Sequence, residues 1–345
     1  MSPSLTLLDN LTLLDRLFRP VDVYDRVGLA VSGGADSLAL MVLAHRWAVR
    51  ARVELVVYSV DHGLRPEARD EVAAVLAVAA ELGLKARALV WSSPHPTSGI
   101  QEAARNARYG LIGAAMADGG VGILLTAHHR QDQAETVLMR LAHGSGVAGL
   151  AGMTPLSNVG GVPIFRPLLD IDREDLRAIV AAVGLVPFED PSNQDTRYER
   201  VRWRNLLPQL DELGLDARRL GEFAQRMGQT RDALASAAET AVQVVVTSRT
   251  SEEATIDRIG FARLPRAVAV VMLSRLLAEI GSGKKSRVIS SVEALYLALV
   301  SDQKFGGQTL HGCMVRRQKR TITIGPEVGR RGQLASQLVV EPNKS

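Results

Sequence analysis

Leu7, Leu11, Leu14 and Phe18 recur at spacings of 4, 3 and 4, the apolar stripe of an amphipathic helix that Pro20 closes. Short apolar runs then alternate with helical patterns. Val27 to Val31, Val53 to Val60, Ala86 to Trp91, Val121 to Thr126 and Pro163 to Leu169 read as strands. Ser37 to Val49, Arg69 to Leu82, Ile100 to Ala117, Asp132 to His143 and Arg173 to Val183 read as helices. Near-continuous apolar strands separated by helices predict an α/β fold, a doubly wound parallel five-stranded sheet with helices on both faces. Ligands of such sheets bind at the carboxyl ends of the strands. After Pro208 the pattern changes, and residues 211–245 read as wholly helical. A second unit begins near Thr255, with a helical stripe at Val288, Val292, Leu295 and Leu299. Gln308 to Ile324 then alternates like a hairpin, Ile322 and Ile324 facing one way and Thr321 and Thr323 the other. The expected organisation is a catalytic α/β domain over 1–210, a helical connecting segment over 211–250 and a small basic α+β domain over 251–345.

Composition narrows the class. The 345 residues are 46% hydrophobic and 23% charged, which excludes disordered, collagen-like and disulfide-scaffold chains. The longest apolar stretches, such as Val72 to Ala80 and Ala267 to Leu273, fall far short of the ~20 residues of a membrane helix. Asp9 and Asp15 break the Leu-rich start and no basic region precedes it, so the expected location is cytoplasmic, with no membrane partner. The single cysteine, Cys313, excludes an internal disulfide and any site built on two thiols. Charge is uneven: residues 1–255 hold 26 Lys and Arg against 31 Asp and Glu, while 256–345 hold 15 against 6. Only six of the 41 basic residues are Lys. Guanidinium groups pair bidentately with phosphate and stack on bases, so a large anionic partner is expected. Solvated Arg faces are the plain alternative. No stripe along the chain marks an oligomer interface, and a homodimer is left open.

The strongest local signal follows the first strand, where Val31-Ser32-Gly33-Gly34-Ala35-Asp36-Ser37 runs directly into a helix. Two adjacent glycines let backbone approach an anion, and the amides of the helix N-terminus point at it. Ser32 and Ser37 add hydroxyls. Asp36 has no place beside bare phosphate unless a cation intervenes, which implies Mg²⁺. Two other glycine patterns are set aside. Gly144 to Gly149 matches GxGxxG but follows a helix, the wrong context for a dinucleotide fingerprint, and reads as a helix stop. Gly281 to Ser286 lacks the spacing and hydroxyl of a Walker A loop and reads as a basic loop. Without a Walker lysine, amides, hydroxyls and Mg²⁺ suit a leaving pyrophosphate, with attack at the α-phosphorus and an adenylate as product.

Ser32 to Ser37 resembles the SGGxDS motif of the PP-loop (N-type) ATP pyrophosphatases. Further segments stand in the order typical of the tRNA(Ile)-lysidine synthetases. They are Asp61-His62-Gly63-Leu64-Arg65, Gln101 to Arg105 with Arg108-Tyr109, Thr126 to His129 with Asp132 to Thr136, Gly144-Ser145-Gly146, Arg166-Pro167-Leu168-Leu169, and Asp190-Pro191-Ser192-Asn193 with Asp195. The likeness is dense over residues 27–208. It implies that ATP adenylates C2 of the wobble cytidine in the CAU anticodon of tRNA(Ile) and that the amine of free lysine then displaces AMP. Asp132 and Glu135, at i and i+3, share a helical face and would hold the lysine ammonium groups, and one of them could take the proton of the attacking amine. A solvated acidic face is the alternative for the pair in isolation. The resemblance implies that Arg108 contacts the ATP phosphates, with a surface pair to Glu102 as the alternative. His128 is assigned to nucleotide or phosphate, since neighbouring histidines without nearby ligands are a weak zinc signal. Asp61 and His62 end the second strand, where the adenosine is expected. Asp36, Arg108, Asp132 and Glu135 are thus the catalytic candidates; Ser32, Gly33, Gly34, Ala35, Asp36, Ser37, Asp61, His62 and His128 form the ATP site.

Arg197, Arg200, Arg202 and Arg204 surround Trp203, basic density interleaved with an aromatic, which suits a single-stranded RNA loop. The family commonly has Asn directly after Arg200, where this chain has Val201. Arg316, Arg317, Lys319 and Arg320 at the hairpin would grip the tRNA backbone, a solvated turn being the alternative. Thiolation of tRNA is rejected because one cysteine does not supply it. Ammonia-dependent synthetases need no basic tail, and a non-catalytic RNA-binding protein would not need Asp36, Ser37, Asp132 and Glu135 intact.

Overall fold

The computed structural model describes Leu8 and residues 10–63, 67–92, 96, 98–189, 195–281 and 289–327. Leu7, Asp9, Leu64, Arg65, Asp190 to Asn193, Ser282 to Ser286 and Val288, used in the sequence reading, lie outside the described residues. The chain divides into two compact units, Met1–His143 with Ala151–Gln225 and Gly144–Leu150 with Arg226–Ser345.

In the first unit, helix α1 (Leu11–Phe18) is capped by Asn10, whose side chain accepts from the Leu13 amide. It leads into β1 (Arg26–Ala30), α2 (Ala35–Ala51), β2 (Glu54–Asp61), α3 (Ala68–Glu81) and β3 (Lys85–Val90). Then come α4 (Ile100–Gly119), β4 (Ile123–Leu125), α5 (Arg130–Ala142), β5 (Leu156–Val159), β6 (Val162–Phe165) and α6 (Arg173–Ala182). The sheet has six strands in the order β3-β2-β1-β4-β6-β5. Five are parallel, as the apolar runs require, and β5 is an antiparallel edge strand that the pattern did not predict. Its signal was short: Gly160-Gly161, both at positive φ (61° and 89°), form the two-residue turn between Val159 and Val162. One core lies between the sheet and helices α1, α2, α3 and α6. There Trp47 stacks on Phe18 at 5.0 Å between centroids while its Nε1 donates to Asp22. Burying each such large side chain contributes about 1.5–3 kcal/mol.

Helix α7 (Glu199–Glu212) contains Pro208, which therefore does not end an element. Residues 211–245 are not one helix: the chain turns at Leu213 and Gly214 (φ 84°) before α8 (Ala217–Val245). Gly214 takes the left-handed conformation that ends helices. The division between the units falls within α8.

In the second unit, β7 (Val246–Arg249), β8 (Ala254–Asp257), α9 (Arg258–Arg263), α10 (Arg266–Ile280) and α11 (Ile289–Val300) precede β9 (Gln308–Leu310), β10 (Cys313–Arg317) and β11 (Thr321–Pro326). The expected hairpin is part of a five-stranded antiparallel sheet in the order β7-β8-β11-β10-β9. Ile322 and Ile324 are buried and Thr321 and Thr323 lie on the other face. Gly144 ends α5 at φ 66° as a helix stop, and a four-residue helical turn, Val147–Leu150, follows. Among the described residues no helix is long and apolar enough to cross a membrane.

Candidate active site

The loop after β1 is built for an anion. Gly33 has φ 85°, and a Cβ there would meet the Phe188 ring at 3.1 Å and Val75 at 3.3 Å. Phe188 donates its amide to the Gly33 carbonyl at 3.0 Å, which holds the loop against the segment following α6. The first intrahelical bond of α2 is Leu38 N–H to Gly34 C=O at 3.0 Å, so the amides before it point out of the helix end. Ser37 is buried and its hydroxyl works within the loop, accepting from the Ser32 amide at 3.2 Å and donating to Gly34 C=O at 2.9 Å. Ser32 is exposed at the mouth, and Asp36 stands in the first turn. We expect Gly33→Ala to cost about 1–3 kcal/mol of backbone strain and to raise the KM for ATP. Urea unfolding together with ATP titration checks this, and an unchanged KM would sink it.

His129, only 2% exposed, is weighed in the sequence alongside His128 for contact with nucleotide or phosphate but is not carried into the ATP site. It caps α5: its Nδ1 accepts from the Asp132 amide at 3.4 Å, and its own amide donates to Asp132 Oδ2 at 3.1 Å. The accepting Nδ1 places the proton on Nε2. That nitrogen lies 3.5 Å from Asp36 Oδ2 and 3.4 Å from Asp132 Oδ2. One imidazole thus joins the phosphate loop to the acidic pair of α5. The signal for it was the His–x–x–Asp spacing of a capping box, with His in a position more often held by Ser or Thr.

Asp132 and Glu135 share a face of α5, as their spacing requires, and that face meets α7. Arg200 Nε donates to Glu135 Oε2 at 2.5 Å and Arg204 Nε to Oε1 at 2.7 Å, while Arg200 Nη2 reaches Asp132 Oδ1 at 2.9 Å. Glu135 is fully buried, and both its oxygens are taken. This corrects two expectations: Glu135 does not face an open pocket, and Arg200 and Arg204 turn inward rather than toward RNA. Trp203 is half-buried and packs against the cluster of Ala134, Val137, Leu138 and Leu220, with its Nε1 donating to Glu199 Oε1 at 3.3 Å. Val201 is buried too. Arg202 donates to the carbonyls of Thr196 and Arg197, and Arg197 pairs with Asp195 while remaining 85% exposed.

Burial opposes the charge on Asp132, but His129, Arg200 and His128 outweigh it and hold its carboxyl below the usual range. His128 is half-buried beside it, Nδ1 2.9 Å from the Thr126 hydroxyl. Burial pushes its ring down to about 4, against the pull of Asp132. The imidazole is therefore neutral at pH 7. Its folded-state value lies below the ordinary 6.5, so the neutral ring contributes stability above pH 6.5 that is lost as pH falls toward 4. NMR titration should show His128 protonating near pH 4; a midpoint above 6 would refute this environment.

Asp61 is buried at the end of β2, accepting from the Gly63 amide at 2.7 Å, and His62 meets Trp91 edge-on at 6.4 Å. Arg108 is exposed on α4, and no described carboxylate, Glu102 included, pairs with it. In the second unit Arg316, Lys319 and Arg320 are exposed. Arg317 is not: its guanidinium donates to the carbonyls of Ala298, Leu299 and Ser301, closing the C-terminal end of α11, and lies 5.5 Å from the Phe305 ring centre. Its expected contact with tRNA is corrected to a helix cap.

A divalent cation fits one position. Asp36 Oδ1 is buried beside the phosphate cradle and makes no hydrogen bond, its ion-pair partner Arg173 Nε standing off at 3.7 Å. The described residues contain no cluster of three or more metal-binding side chains. One carboxylate completed by substrate phosphates is how Mg²⁺ is commonly held.

The family model of the PP-loop domain matches residues 10–210. The tRNA(Ile)-lysidine synthase of Methylobacterium nodulans is 41% identical over 88% of this chain and 91% of its own length. That of Bradyrhizobium sp. is 40% identical over 92% and 94%. Among solved structures, the U34-tRNA thiolase NcsA from Methanococcus maripaludis with its 4Fe-4S cluster matches at TM-score 0.55 and 17% identity, covering 64% of this chain and 78% of that one, a likeness of fold.

Proposed function

Because the chain belongs to the tRNA(Ile)-lysidine synthases, ATP-using ligases of the PP-loop type, we propose that it converts the wobble cytidine of tRNA(Ile) bearing a CAU anticodon to lysidine. The cytidine C2 oxygen attacks the α-phosphorus of ATP, the bond to the β-phosphate breaks and pyrophosphate leaves. The amine of lysine then attacks C2, the C2–O bond breaks and AMP departs. The observation that carries the reading is the bridge from Asp36 through His129 to Asp132, which brings the phosphate loop and an acidic site to the ends of adjacent parallel strands.

The loop amides and the Ser32 hydroxyl hold the β- and γ-phosphates, and Asp36 would hold Mg²⁺, which when bound neutralises the charge building on the leaving group. Asp132, kept ionised by His129 and Arg200, attracts the lysine ammonium and takes a proton from the attacking amine. Glu135 acts one layer behind, fixing Arg200 beside Asp132. Neutral His128 and exposed Arg108 line the approach of nucleotide and phosphate. Exposed Arg197, Arg202, Arg316, Lys319 and Arg320 supply phosphate contacts for tRNA. A sulfur-transfer reading finds no support, since the one cysteine, Cys313, is buried in the second unit.

Nucleoside mass spectrometry of tRNA(Ile) with a CAU anticodon, incubated with the protein, ATP, Mg²⁺ and lysine, tests the proposal. A lysine adduct on cytidine is expected. AMP and pyrophosphate without the adduct would refute the lysine assignment, and the absence of all three from folded protein would refute the reaction.

A further inference from the structure

Side chains from the N-terminal ends of two further helices meet Asp36 in the first turn of α2. Helix α2 begins one residue before it; α5 is capped by His129, whose Nε2 lies 3.5 Å from Asp36 Oδ2; α6 begins with Arg173, whose Nε lies 3.7 Å from Asp36 Oδ1. They have 17, 13 and 10 residues, long enough for each end to carry about half a positive charge. Arg173 is anchored by its backbone, since its amide donates to Gln131 Oε1 at 3.0 Å and Gln131 Nε2 donates to Asp172 Oδ1 at 3.2 Å. Neighbouring Arg130 is fully engaged, with Asp172 and the Asp170 carbonyl. Arg173 is not. Its Nε and the facing Asp36 Oδ1 are both buried and both lack a hydrogen-bond partner. At 3.7 Å the pair is an ion contact but not a hydrogen bond, so the buried Arg173 Nε–H remains a donor without an acceptor, the role that an oxygen of an anion fills.

We infer that Arg173 is a phosphate-binding residue. Its guanidinium donates to an oxygen of the departing pyrophosphate, from the side opposite the loop amides. This deepens the reading above and rests on its assignment of the loop to the β- and γ-phosphates. Of the two carboxylates near His129, Asp132 is already paired with Arg200, so the Arg173 guanidinium is the cation left beside Asp36 for a group carrying several negative charges. Arg suits the task better than Lys because its fork can hold a phosphate oxygen and Asp36 together.

Calorimetric binding of inorganic pyrophosphate with Mg²⁺ to the full chain reads this contact without tRNA or lysine. We expect Arg173→Gln to weaken binding about 10- to 100-fold, as loss of a charge-assisted hydrogen bond does, and Arg173→Lys to recover part of it. In turnover, the KM for ATP should rise while that for lysine stays unchanged. Should Arg173→Gln fail to fold, Arg173→Lys carries the comparison, with an expected loss of several-fold. Unchanged pyrophosphate affinity in a folded variant overturns the inference alone. A chain that binds pyrophosphate through Arg173 but forms no lysidine overturns the preceding reading alone, and wild-type protein that forms lysidine but binds no pyrophosphate overturns the assignment of the loop and Arg173 to the β- and γ-phosphates.

Discussion

Replacing Asp36 with Asn should lower AMP release by about 10³-fold, the scale of losing one preorganised charge at a reacting phosphate. The substitution keeps the shape of the side chain and removes its charge. Asp36 is the carboxylate on which the loop, His129 and Arg173 converge, and its Oδ1 makes no hydrogen bond within the protein. Nothing else in Ser32 to Ser37 is ionisable. Because the side chain is 28% exposed and its neighbours lie at 3.5 Å and 3.7 Å, the change in stability should stay within about 1 kcal/mol. Chromatography of AMP formed with tRNA and lysine present, paired with thermal unfolding, measures both. An Asn variant that keeps a third of the rate would remove Asp36 from the chemistry.

Glu135→Ala is expected to destabilise the protein by about 3–5 kcal/mol, the cost of breaking a buried pair by removing one partner. Glu135 is wholly buried, and two guanidinium groups close on its oxygens at 2.5 Å and 2.7 Å. Without it Arg200 keeps Asp132, but Arg204 is left in the α5–α7 contact with no carboxylate. Arg204→Ala should cost less, because Glu135 retains Arg200. Urea unfolding of both variants gives the comparison. A loss below about 1 kcal/mol for Glu135→Ala would show that water or a rearranged partner compensates for the cluster, and that Glu135 is not the anchor proposed here.

The catalytic fold was legible because its signals are local. Buried parallel strands are apolar along their whole length, so Val27 to Val31 and Val53 to Val60 announce themselves. The loop Ser32 to Ser37 is a contiguous string whose chemistry depends on backbone and on a helix beginning where it does. The spacing of Asp132 and Glu135 likewise fixed their shared face. The strand β5 escaped because an edge strand of four residues, Leu156-Ser157-Asn158-Val159, carries no apolar run. Pro208 misled because a proline's cost inside a helix can be met by packing, here that of α7 on α5 through Trp203 and Leu207.

What the sequence by itself determined is therefore the set of elements, the phosphate loop and the residue types available for chemistry. What only tertiary structure decided is which charges meet. Arg200, Arg204 and Trp203 look like an RNA-facing cluster in one dimension, yet a helix has two faces, and the one that turned inward placed two cations on Glu135, which lies 65 and 69 residues away. Arg317, one letter from exposed Arg316, became the cap of α11 because alternate residues of a strand point to opposite sides. His129 and Arg173 acquired their places beside Asp36 only when α5 and α6 docked their N-terminal ends there. Composition counts charges, but pairing depends on distance and burial, and both are set by packing between segments far apart in the chain.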